Sequence, residues 1–201
     1  MQKKSAVNST FRYDGTDHSL NACLGYNHVI TPGAANVPKW LYLSEWGTIS
    51  RGYQKAANSL VAHVRIHESD LDEMVYPIAF LFRHAIETTL KIAIVSTGTE
   101  PPKNGEHYLL KIWDIIEPNV SLLFKSEDSS FVNLNTVREI IMDFDSIDLS
   151  SFAFRYPSNK NGSAALPGIN VINVGVLSER ANLLVELLER IISAFGQVIS
   201  T

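Results

Sequence analysis

The chain contains a single cysteine, Cys23. That excludes an intramolecular disulfide and any multi-cysteine metal site, and a buried structural thiol is the expectation for it. Long apolar runs are also missing. Each is broken by charge well short of the roughly 20 residues that span a bilayer, so no membrane helix is expected. The opening residues carry the lysines of a secretory signal with no apolar region behind them, which points to a cytoplasmic protein. No GxGxxG or Walker-type phosphate loop occurs, and no nucleophile elbow surrounds any serine, so no cofactor is implied. His63 and His67 have the i, i+4 spacing of two metal ligands, but Glu68 does not complete an HExxH arrangement and no third ligand is evident. They read as exposed residues at a helix end, and no metal is expected. A large charge excess is lacking as well. The 17 basic and 21 acidic side chains give a formal charge of -4, which argues against broad electrostatic binding of nucleic acid but leaves room for a local basic patch.

What is present is a chain of 201 residues, 45% hydrophobic. It is too apolar for disorder and long enough to bury a core without a disulfide or metal. One domain is expected over 1–201, with 1–46 an irregular, aromatic-rich segment packed on a helical bundle over 47–201. Apolar residues at helical spacing predict helices over about 48–66, 71–95, 105–117, 132–144 and 176–199. Pro118 is read as following the end of the third helix. Between the last two, the turn signal Asn159-Lys160-Asn161-Gly162 and the alternation of Ile169 to Val174 predict a small β-hairpin or ordered loop near 152–174. The fold class is therefore all-α: a bundle with long antiparallel helices and that one insertion. In the last helix Leu177, Ala181, Leu184, Leu188, Ile191, Phe195 and Val198 keep a four-three spacing. The breadth of the stripe favours a bundle core, the sharper alternative being a dimer seam.

The second helix is the most informative segment. Arg83, His84, Glu87 and Lys91 share one strip of about 100° on its circumference, and the rest of the girth is almost wholly apolar. Two readings stay open. The strip is either a solvent face carrying an i, i+4, i+8 ion-pair ladder or the wall of a partly buried polar cleft, where His84 beside Arg83 and Glu87 would exchange protons or hold an anion. His107 opens the third helix. Arg155 lies in the aromatic run Phe154-Arg155-Tyr156-Pro157, a setting that holds a planar guanidinium ready for a carboxylate or phosphate. Arg155 or Lys91 is the expected partner of Glu87. Arg83, His84, Glu87, Lys91, His107 and Arg155 are expected to converge as a ligand-binding site. Such a site is locally positive and suits RNA, a nucleotide or another anionic ligand.

The string Phe82-Arg83-His84-Ala85-Ile86-Glu87 with Leu90-Lys91, then His107 with Leu110 and Trp113, then Phe154-Arg155-Tyr156-Pro157, resembles uncharacterised bacterial helical proteins related to the HEPN superfamily. The resemblance covers roughly residues 70–190. It implies a helical bundle, a homodimer, and a place in a bacterial defence or toxin–antitoxin system. It also implies either a non-catalytic module that binds a nucleotide, nucleic acid or protein partner, or a metal-independent ribonuclease. The ribonuclease members carry an Arg, four to six residues, then a His late in the bundle. Here no histidine follows His107, and the matching spacing of Arg12 and His18 falls in the N-terminal segment. A catalytic version would have to draw on His84, His107 and Arg83, with a histidine acting on a ribose 2'-hydroxyl and the arginine stabilising phosphate charge.

Overall fold

The computed structural model describes residues 39–99, 106–126, 132–149 and 151–198. Cys23, Arg12, His18 and most of the segment expected to be irregular lie outside them. Five helices make up the described fold: α1 (Lys39–Val64), α2 (Leu71–Ser96), α3 (Leu109–Ser126), α4 (Leu134–Ile147) and α5 (Val174–Val198). No strand is present among the described residues, so the fold is an all-α bundle. No described helix is long and apolar enough to cross a membrane.

α2 is the central element. It packs on α1, α5 and α3, while α4 closes the far side against α3 and α5. Ile78, Phe82, Ile86, Leu90, Ala93 and Ile94 are fully buried along it, as its apolar girth requires. Leu177, Ala181, Leu184, Leu188 and Ile191 of α5 belong to the same core cluster. The four-three stripe of α5 therefore serves the intramolecular core.

Two helices extend well beyond the sequence reading. α1 begins at Lys39, so residues 39–46 are helical where an irregular segment was expected. α3 passes through Pro118 and continues to Ser126. Its apolar stripe continues past the proline in Val120 and Phe124, both buried, while Pro118 itself lies on the exposed side. There, water can take the carbonyl that the missing N–H leaves unpaired. The 151–173 segment is an ordered loop with a single antiparallel bridge, Ser158 to Ala164. The expected turn is present: Gly162 N–H donates to Asn159 O at 2.9 Å, with Gly162 at φ +84, where a side chain is strained. Ile169 to Val174 form no strand, and Val171 is 87% exposed. The alternation there has no neighbouring strand to pair with.

Candidate functional site

The Arg83 side chain is fully buried and works as a hub. Its Nη1 donates to Glu87 Oε2 at 3.0 Å and its Nε to the Asp148 carbonyl at 2.7 Å. Its Nη2 donates to the carbonyls of His107 at 2.7 Å and Leu149 at 3.2 Å. Four of the five guanidinium donors are thus taken by protein. One side chain ties α2 to the start of α3 and to the end of α4.

Two carboxylates absent from the sequence-based set complete the hub. Asp145 lies 3.8 Å from Arg83 Nη2 and Asp148 lies 4.0 Å from Nε. Asp145 also accepts the first backbone N–H groups of α3, from Leu109 at 3.2 Å and Leu110 at 2.8 Å, so a side chain of α4 caps α3. Asp148 Oδ1 accepts from the backbone N–H groups of Phe152 and Ala153 and so fixes the turn into the loop. A pattern signal for both exists in the sequence. Val137, Ile141, Phe144, Asp145 and Asp148 follow helical spacing, so both acids stand on the apolar stripe of α4, and a carboxylate on such a stripe needs a buried cation.

Glu87, 2% exposed, is shared between three partners. Besides Arg83, its Oε1 accepts from Lys91 Nζ at 2.7 Å and pairs with His107 Nδ1 at 2.8 Å. Burial pushes the Glu87 carboxyl up, but the hydrogen bonds from Lys91 and His107 and the charges of Lys91 and Arg83 outweigh it and hold the group below its ordinary value. The expected ion-pair ladder Arg83–Glu87–Lys91 therefore exists, but two of its three members are buried rather than solvated. Of the two partners expected for Glu87, Lys91 is one and Arg155 is not. The local charge also differs from expectation. Glu87, Asp145 and Asp148 surround Arg83 and Lys91, so the knot is not a cationic pocket.

His107 is the exposed end of this network. Its side chain is 59% exposed. A carboxylate on Nδ1 fixes the proton there and leaves Nε2 without a hydrogen-bond partner among the described residues. His84 is half-buried, and its imidazole makes no hydrogen bond among the described residues. It stacks on Phe80, with centroids 5.8 Å apart at 11°, and meets the edge of Tyr53 at 4.4 Å. Burial first, then the charges of Lys91 and Arg83, hold its pKa below the ordinary value against the pull of Glu87. Arg155, in the loop between α4 and α5, stands beside Phe80 of α2. Its guanidinium lies 5.8 Å from the Phe80 ring, 5.9 Å from Phe152 and 5.7 Å from Tyr156.

The six residues thus divide. Arg83, Glu87, Lys91 and His107 form one hydrogen-bonded network. His84 and Arg155 flank it through Phe80. Two cavities, of about 390 and 500 Å3, lie along residues 166–173, and neither takes lining from any of the six. Among the described residues no group of three or more His, Cys, Asp or Glu side chains is placed to hold a metal ion.

The fold and this network define a helical bundle with a sealed Arg–Glu core and an oriented, exposed histidine. Comparison with protein-family models, curated proteins and solved structures gives no match.

Proposed function

We propose that this chain is a HEPN-like helical module of a bacterial defence or toxin–antitoxin type system, working in the cytoplasm as a homodimer and binding RNA through the exposed side chains of His107 and Arg155 beside α2. One observation carries the reading: an exposed imidazole held on a buried carboxylate, His107 Nδ1 to Glu87 Oε1 at 2.8 Å. That arrangement presents Nε2 to solvent in a fixed direction, which serves a ligand and adds little to the core. Beside it the exposed Arg155 supplies a cation for an RNA phosphate. Support for the dimer is the outer side of α5, where Val176 and Leu183, seven residues apart, are both exposed.

The second reading is the metal-independent ribonuclease, favoured by the same pair. A carboxylate-oriented imidazole is the geometry of a general base. Arg83 would not serve it, because protein carbonyls and Glu87 occupy its donors. Incubation with labelled RNA pools separates the two. Retention of intact RNA by wild type, lost in His107→Ala, supports the binding module. Cleavage abolished by His107→Ala establishes the ribonuclease in its place. RNA neither bound nor cut overturns both.

A further inference from the structure

We infer that Arg155 is a preorganised phosphate fork, placing an RNA backbone phosphate two helical turns from His107. The inference rests on the binding reading above and deepens it by naming the moiety and the residue that grips it.

The argument begins with how the loop is held. Arg83 grips the carbonyls of Asp148 and Leu149 from inside the bundle. The Asp148 carboxylate grips the N–H groups of Phe152 and Ala153. Ser151, between these clamps, is buried and sits in the left-handed region at φ 60, a backbone that a non-glycine residue holds only when its surroundings impose it. Its carbonyl accepts from Arg155 Nε at 2.7 Å. Nε is thereby used as an anchor, and three rings at 5.7 to 5.9 Å confine the guanidinium.

What remains is the outer edge of the fork. Arg155 is exposed, and among the described residues neither Nη has a hydrogen-bond partner and no carboxylate stands within ion-pair distance. A planar, ring-cradled arginine with both Nη groups open matches two oxygens of a phosphate. Its immobility is already provided by the fold, so binding costs little further side-chain entropy.

Position then selects the kind of phosphate ligand. Phe80, beneath Arg155, and Glu87, beneath His107, are seven residues apart on α2, about 10 Å along the axis. Phe80 and His84, stacked on each other, pack the span between them. A fork and an imidazole set this far apart suit successive groups of a single strand better than one mononucleotide.

The test is fluorescence anisotropy with a short labelled single-stranded RNA and four proteins: wild type, Arg155→Ala, Arg155→Lys and His107→Ala. Both Arg155 variants are expected to bind roughly ten- to a hundredfold more weakly, the loss for a charge-assisted contact. The salt dependence of Arg155→Ala should fall by about one phosphate contact. Melting temperatures should not move, because the side chain is exposed. Arg155→Lys binding as tightly as wild type would show that charge alone suffices and overturn the fork. Displacement of the RNA by equimolar mononucleotide or inorganic phosphate would overturn the extended ligand. If His107→Ala binds normally while the Arg155 variants fail, the reading of the His107 corner falls and the fork stands. The converse removes the fork alone, and no RNA binding by wild type removes both.

Discussion

Arg83 reaches Asp148 through the backbone carbonyl, Nε to O at 2.7 Å, and not through the carboxylate, whose Oδ2 stands 4.0 Å away. The division of labour follows from that choice. The carbonyl holds the chain where α4 ends, and the carboxylate is left to hold the N–H groups of Phe152 and Ala153. A buried guanidinium with one hydrogen-bonded ion pair at 3.0 Å, two longer ones and three carbonyl contacts acts as a scaffold that positions the loop carrying Arg155 and the histidine opening α3.

Arg83→Met is therefore expected to destabilise the fold by roughly 3–5 kcal/mol, the cost of leaving buried carboxylates without their cation. Arg83→Lys should recover only part of it, since an ammonium cannot span acceptors on three segments. Urea unfolding of the three proteins measures this. A loss under about 1 kcal/mol for Arg83→Met, the range of surface pairs, would contradict a hub.

Asp148 Oδ1 caps two backbone N–H groups, while Oδ2 is buried without a hydrogen-bond partner. Asp148→Ala should cost about 1–3 kcal/mol for the donors left unsatisfied. Asp148→Asn retains an acceptor oxygen and should cost less. Amide hydrogen exchange at Phe152 and Ala153 reads the same contact directly: faster exchange in Asp148→Ala than in Asp148→Asn is the expected order.

Acid sensitivity has two expected stages. His84 has a folded pKa below its ordinary value of 6.5, so the unfolded chain takes up the proton first. Stability is full above about pH 6.5 and falls as pH drops through the lowered folded value. Glu87, held below its ordinary value of 4.5, adds a second loss as pH falls from that value through its own lower one. Asp145 works the other way. Burial raises its pKa against the N–H groups of Leu110 and Leu109 and the Arg83 charge, so its protonation favours the folded state and blunts the second stage. Unfolding free energies across pH 4 to 8 should show the first decline vanish in His84→Phe. A decline unchanged in that variant would remove His84 as its source.

The helices were legible in the sequence because their apolar residues recur at helical spacing and the core uses that spacing directly. A proline is a local stop signal, yet α3 runs through Pro118 because Val120 and Phe124 have a core to enter. Ile169 to Val174 alternate like a strand, but alternation specifies a strand only where another strand is present to pair. The strip on α2 was legible as a set of residues and not as a level of burial. Arg83 and Glu87 read alike as solvent ladder or buried knot until Asp145 and Asp148, more than fifty residues away, are brought beside them. Arg155 was recognisable as rigid from its aromatic neighbours. Its anchor, the Ser151 carbonyl, depends on a backbone conformation that no residue type announces.

The central claim is that an anionic strand meets the protein at the outward face of His107. The most direct measurement is a histidine side-chain 1H–15N correlation spectrum recorded while single-stranded RNA is added. The free protein is expected to show His107 with its proton on Nδ1, and RNA is expected to shift its Nε2 resonance while leaving His63 and His67, at the end of α1, in place. A His107 protonated on Nε2 in the free protein, or an Nε2 resonance unmoved at saturating RNA, would contradict the account.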